Sequence, residues 1–592
     1  MDRVKLDIYQ VPDYQNEPAP ANTAPANAAP EGDSPQSVDI KAVREKLEQS
    51  RGQEYWQSLE ELVETPEFEA FMESEFPRQA APFQQSVNRR DFMKLLGGSL
   101  ALAGLSACAR PPLPNEKIVP YVRAPEEIIP GVPLFYSSTL TIDGFAQGVI
   151  AESHQGRPTK VEGNPDHPAS LGATDVFMQA SVLDIYDPDR SQTVLRNGGA
   201  STWADFTSAL QNTLGNLADG SRLRILSEAS TSPTLEHQVR RLQETYPGAT
   251  WHQYSPAQSD NVRSGAMAAF DKDVVPAYDF AKADVVVSLD ADFLGEGPAK
   301  LAYTRAFSSR RRVRNAEDAD NKNRVYVFES TLSITGSMAD HRVALRSAYI
   351  DALTRIIANR LGLDVAAGVM PADQVPSELV DALIADLHDH EGSSIVIAGD
   401  GQPAAVHALA HALNYVLGNV GETVFYHQPA VSEAHQLESL TSLVRDIDAG
   451  NVDALLILGG NPAYSAPADL NIAEAIASVP FSAHLSNYVD ETSNRTAWHL
   501  PQTHDLEVWG DARAFDGTIS LSQPLIAPFV EGKSALEVLA MALGEGDKNT
   551  YDIVRDYWEA RIDGNVDGFW REVLYQGHIP GTAHAPETVN LQ

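Results

Sequence analysis

Two turns in this chain carry residue types that could hold an anion or a metal. Residues 284–298 read DVVVSLDADFLGEGP and residues 453–467 read DALLILGGNPAYSAP. Each is an aspartate, a buried strand, a turn and a closing proline at the same spacing, a pattern that predicts two related Rossmann-like halves. Glycines after such a strand let backbone N–H groups approach a nucleotide phosphate. The second copy keeps Gly459-Gly460-Asn461-Pro462 there, whereas the first has Asp290-Ala291-Asp292-Phe293. Two carboxylates where a pyrophosphate would rest repel it by several kcal/mol at close range unless a metal intervenes. The pocket turns at Asp290, Asp292, Gly459, Gly460 and Asn461 therefore read as degenerate. A Mg²⁺ bridging Asp290, Asp292 and a phosphate is the competing reading.

The remaining reactive side chains offer less. Cys108 is the single cysteine, so no internal disulfide and no cysteine-ligated cluster or zinc site can form. His407 and His411 stand one helical turn apart, as metal ligands can, but the glutamate of the H-E-x-x-H pattern is absent and the helix is rich in Ala and Leu, which favours packing. His388 and His390 lie in a polar connection, and His499 and His504 flank Leu500-Pro501. Arg310-Arg311-Arg312-Val313-Arg314 is the dense basic run; it reads either as a solvated loop or as a docking site for an acidic surface. No serine sits in a G-x-S-x-G context. No catalytic residue and no metal ligand is assigned.

The elements that must position these turns alternate. Strand-like runs at residues 223–226, 285–289, 325–328, 395–398 and 455–458 are separated by helical patterns at 233–245, 342–361 and 403–417. This predicts parallel sheets with crossover helices. The 592 residues, 43% hydrophobic, suffice for several domains. Acidic residues outnumber basic ones 81 to 44, a net charge of −37 that excludes nucleic acid as a partner.

Before the body stands an address. Arg89, Arg90, Phe92 and Lys94 match a twin-arginine export pattern, and residues 95–107 form an apolar run too short for a membrane span. Leu105-Ser106-Ala107-Cys108 fits both a lipobox, with acylation at Cys108, and an ordinary small-residue cleavage region. Residues 10–37 have a disordered composition. Amphipathic helical patterns follow at 40–76, where Phe68, Phe71 and Met72 give an apolar face suited to docking or to local packing.

Several stretches resemble the molybdopterin oxidoreductases: GRPTKVEGNPDHP at 156–168, LDIYDPDR at 183–190, Ser201-Thr202-Trp203, Gly459-Gly460-Asn461-Pro462, Glu491-Thr492, Leu500-Pro501, Glu507 and Gly510. Where that family continues to a cysteine and a Lys-Gly pair, residues 169–177 here read ASLGATDVF. Together with YWQSLEEL at 55–62, TPEF at 65–68, the internal export signal and EKIVPYVR at 116–123, the chain resembles the molybdopterin-like (ActB-type) large subunits of bacterial alternative complex III.

The resemblance implies an α/β fold with two Rossmann-like doubly wound parallel-sheet domains, an extended helical and disordered leader, and no complete C-terminal pterin-covering barrel. The implied organisation is a leader at 1–85, a signal-like segment at 86–110, an entry domain lacking the cluster cysteines at 111–215, the paired α/β domains at 216–530, and a tail at 531–592 toward an iron–sulfur partner. It further implies a cofactor-free, non-catalytic scaffold of a membrane quinol oxidoreductase at the extracytoplasmic (periplasmic) face of the cytoplasmic membrane. Its partners would be an iron–sulfur cluster subunit, multihaem c-type cytochrome subunits and polytopic quinol-oxidising subunits, the clusters and haems residing in those partners. The cluster half would be another chain or the continuation of this one. The alternative is an active molybdopterin oxidoreductase with a non-cysteine metal ligand.

Overall fold

The computed structural model describes residues 129 and 131–592, with 258 and 547 left out. The leader with its predicted helices, the twin-arginine segment and Cys108 lie outside the described residues.

Two parallel sheets organise the body. In the larger, Trp498–Pro501, Phe481–Ser486, Ala454–Leu458, Leu223–Ser227 and Thr250–Gln253 run parallel in that spatial order, and the short strands Leu195–Arg196 and Gly199–Ala200 extend one edge antiparallel. In the smaller, His341–Ala344, Arg324–Glu329, Val285–Leu289 and Ser394–Ala398 are all parallel. Val285–Leu289 and Ala454–Leu458 are buried at every position. Helices cover both faces of such sheets, so the strands read as unbroken apolar runs and not as alternation. The smaller sheet is nested inside the larger, between its strands Thr250–Gln253 and Ala454–Leu458. The two copies of the turn motif thus come from an inserted domain and its host.

Local chemistry sets the helix ends. Pro233–Thr245 starts where Ser232 Oγ accepts the Leu235 N–H at 3.0 Å, with proline in its first turn. The helical pattern that starts at 342 begins later in the structure, at Ser347, because His341–Ala344 pairs with the edge of the smaller sheet and Arg342 joins Glu329 there. An antiparallel sheet of Leu134–Ile142, Phe145–His154 and Arg157–Gly163 precedes the body and carries the helix Val176–Ile185 on one face. Residues 531–592 are integrated: Leu539, Trp558, Trp570 and Val573 pack into the core of the larger sheet. The chain end then crosses to the inserted domain, where the Gln592 N–H reaches the Ala269 carbonyl at 2.9 Å.

Among the described residues no strand set closes into a barrel, and no helix is long and apolar enough to cross a membrane.

Candidate functional site

In an open parallel sheet, ligands bind beyond the carboxyl ends of strands where the strand order reverses. In the larger sheet that point lies between Leu223–Ser227 and Ala454–Leu458, with Glu228 and the turn Gly459-Gly460-Asn461 above it. In the smaller sheet it lies between Val285–Leu289 and Ser394–Ala398, under Asp290 and Asp400. Both candidate turns therefore stand at switch points.

The glycine turn is open in conformation and closed in chemistry. Gly459 and Gly460 have φ of 82° and 71°, left-handed values that glycine takes without strain. Asn461 Oδ1 accepts the Thr492 hydroxyl at 2.7 Å, and its amide donates to Glu491 at 2.7 Å. His484 Nε2–H donates to the Gly460 carbonyl at 2.8 Å. Glu228 lies against the turn: a methyl added to Gly460 would sit 2.8 Å from its Cγ. Part of the Glu228 side chain meets solvent, yet low-dielectric surroundings and then Asp143 hold its carboxyl above the usual range, with His484 opposing. A phosphate charge about 4 Å from an ionised carboxylate is disfavoured by about 4 kcal/mol at an effective dielectric of about 20.

The second turn spends its carboxylates on the protein. Asp290, at φ 61°, accepts the Ser330 N–H and the Gln402 amide, each at 2.8 Å. Asp292 accepts the Thr335 N–H at 2.9 Å and its hydroxyl at 2.7 Å. The carboxyl of Asp400, beside them in the fold, is pushed up to about 6 by low-dielectric surroundings and then by Glu296, although part of the side chain meets solvent. Among the described residues no three His, Cys, Asp or Glu side chains are grouped to hold a metal ion. With carboxylates at both switch points, the residues present do not fit a pyrophosphate-bearing cofactor.

The histidines are packed. His407 and His411 are buried on the helix Ala404–Val416, and burial lowers them to about 4 and about 3. His411 pairs with the Tyr426 hydroxyl at 2.9 Å. His499 lies between the hydroxyls of Ser191 (2.5 Å) and Ser493 (2.8 Å), while His504 Nδ1 accepts the Leu506 N–H at 3.1 Å and caps a short helical turn. His390 donates to the Asp386 carbonyl at 2.8 Å and His388 is exposed beside Glu391. In the basic run Arg310 pairs with Asp284, and Arg311 with Asp340 at 2.9 Å, so two of its guanidinium groups are engaged within the body.

Several of the stretches that carry the resemblance to molybdopterin oxidoreductases meet one another. Arg190 makes a doubly bonded, buried ion pair with Glu507 (3.0 and 2.8 Å). Burial acts to raise the Glu507 carboxyl, but Arg190 and the N–H groups of His504 and Phe529 hold it below its ordinary value. His167 is fully buried, and burial lowers it to about 3. Its Nδ1 accepts the N–H groups of Gly148 (3.3 Å) and Ala169 (3.2 Å), which fixes the proton on Nε2 toward Ser520 Oγ at 2.9 Å. Trp203 donates its indole N–H to the Glu531 carbonyl at 2.6 Å. These residues are joints between segments.

Sequence reasoning missed Glu228, Asp400 and Gln402. Glu228 and Asp400 follow strands 223–227 and 394–398 closely, so asking what ends each switch-point strand would have found both.

This architecture is the α/β fold of the molybdopterin oxidoreductases, with mixed parallel and antiparallel sheets. Among solved structures, the acetylene hydratase of Pelobacter acetylenicus matches 76% of this chain and 74% of its own, with a TM-score of 0.54 at 12% identity. In sequence the chain is distantly related to the menaquinone reductase molybdopterin-binding-like subunit of Nitratidesulfovibrio vulgaris, 24% identical over 441 residues. That match takes in 67% of this chain, which spans 63% of the relative's length. No family model matches.

Proposed function

We propose that this chain is a non-catalytic scaffold subunit of a membrane quinol oxidoreductase of the alternative complex III type, bracing an iron–sulfur subunit and docking haem-bearing and quinol-oxidising partners at the extracytoplasmic face. The observation that carries this reading is the carboxylate at each switch point, Glu228 beside Gly460 and Asp290 over the smaller sheet, where an anionic cofactor would need donors. Retention of the landmark residues as joints supports it, because a scaffold keeps what holds the fold and loses what binds the cofactor. The relative's description as molybdopterin-binding-like within a menaquinone reductase agrees in kind, and the twin-arginine pattern at 89–94 suits export of a folded subunit.

The test is purification of the tagged full chain from membranes, with metal and haem analysis. The expected preparation contains c-type haem, iron and polytopic subunits, with no stoichiometric molybdenum or tungsten. Molybdenum or tungsten at one atom per chain refutes the scaffold reading and establishes the active enzyme.

A further inference from the structure

The outward side of the helix Val176–Ile185 exposes several large apolar side chains beside the polar Gln179 and Asp184. Met178, Val182 and Ile185 pack on Leu140, Val149 and Val161 of the antiparallel sheet. On the opposite side Val176, Phe177 and Leu183 are 72%, 64% and 71% exposed. Tyr186, one turn past Leu183, meets Phe529 edge-on with ring centres 5.9 Å apart, and Phe529 is itself 59% exposed. A cluster of exposed large apolar side chains of this kind is a candidate interaction site.

The face is held at both ends. Asp175 caps the helix through the Met178 N–H at 2.7 Å. At the other end Arg190 donates to the Ile185 carbonyl at 3.0 Å while paired with Glu507, which in turn accepts the Phe529 N–H at 2.8 Å. The charges around it are uneven. Asp184, Asp187 and Asp189 flank the Tyr186 end, with Arg157 acting on the same tyrosine, whereas Lys300 at the other end is paired with Asp175 at 2.7 Å.

We propose that this face docks a separate protein subunit presenting an apolar centre edged by lysine and arginine. The apolar residues supply the affinity, and the three aspartates set orientation and encounter rate. A second copy does not fit: the chain carries −37 charges, which disfavours self-association, and this face offers little basic complement. The inference rests on the reading of the chain as an assembly subunit.

The experiment places a photo-crosslinking benzoylphenylalanine at Leu183 of the full chain in its native membranes and maps the crosslinked peptide. A peptide of another subunit containing lysine or arginine beside apolar residues is the expected product. In parallel, Val176→Ser with Leu183→Ser is expected to reduce retention of that subunit at least tenfold with an unchanged unfolding midpoint. Asp184→Lys is expected to weaken retention and flatten its salt dependence. Crosslinks to a second copy, or to residues 1–128 of the same chain, overturn the proposal. So does full retention of all partners by the double serine variant, an outcome that leaves the assembly reading standing. A wild-type chain that leaves solubilised membranes alone overturns both.

Discussion

Replacing Glu507 with glutamine tests whether the landmark residues serve as joints. Arg190 and Glu507 are 3% and 0% exposed at their side chains, so neither charge has water to fall back on. Glutamine keeps the shape but presents an NH₂ group where the carboxylate accepted Arg190, the His504 N–H (2.8 Å) or the Phe529 N–H (2.8 Å). One donor is then left facing a donor, and a guanidinium is left without a counter-charge. Breaking a buried pair from one side costs about 3–5 kcal/mol. At about 2.1 cal/mol/K per residue, some 460 described residues unfolding together give an entropy near 1 kcal/mol/K, so the midpoint falls by about 3–5 °C. Urea unfolding of the two proteins measures the difference directly. Arg190→Met combined with Glu507→Leu is expected to lie closer to wild type than either single change, since no charge is left stranded. A Glu507→Gln protein within about 0.5 kcal/mol of wild type would refute the reasoning. A double variant as unstable as the sum of the singles would refute it equally.

Three further outcomes follow from the same structure. Burial lowers His411 from 6.5 to about 3, so between those values the unfolded chain binds a proton that the native chain refuses, and stability is full above pH 6.5 and lost as pH falls below it. At pH 5.5 this amounts to about 1.4 kcal/mol; His411→Phe is expected to make the loss between pH 7.5 and 5.5 smaller by that amount in urea titrations, and an unchanged loss contradicts it. The Glu228 carboxyl is raised in the fold, so the native state binds its proton more tightly than the unfolded chain does, and stability falls as pH rises from the ordinary carboxylate value to the folded one and stays lower above it; Glu228→Gln is expected to raise the thermal midpoint at pH 8 and leave it unchanged at pH 4. Gly148→Ala would put a methyl 2.3 Å from the His167 ring. A destabilisation of about 3 kcal/mol or more, or loss of soluble protein, is expected from that overpacking, and a variant within about 1 kcal/mol of wild type contradicts it.

Much of the fold was legible because parallel strands buried on both faces leave continuous apolar runs: residues 285–289, 455–458 and 395–398 each fall within an observed strand. The pattern does not carry chain order in space. Nothing in the local sequence says that Thr250–Gln253 and Ala454–Leu458 share a sheet while a whole domain intervenes, since that pairing is decided by tertiary packing. His341–Ala344 shows the same limit at small scale, as an edge strand whose residues also suit the start of a helix. At the candidate site the acidic turn was legible from residue type alone, because Asp290 and Asp292 stand where glycines would. Glu228 was not, since its meaning comes from Gly460, more than two hundred residues away in sequence and adjacent in the fold.

Long-range pairing also describes the residues that carry the resemblance to molybdopterin oxidoreductases. A residue that would touch only a cofactor is not held by the rest of the chain, whereas Asp290 is engaged by the Ser330 N–H and the Gln402 amide. A residue whose partner is another segment of the same chain is costly to replace, because removing it strands a buried charge or an unpaired donor. Arg190 with Glu507, His167 with Ser520 and Asn461 with Thr492 are all of the second kind. The Arg190–Glu507 pair holds the Ile185 carbonyl and the Phe529 N–H together, and so fixes both sides of the exposed apolar face. On the proposed scaffold reading, the importance of this pair lies in the surface it holds in place.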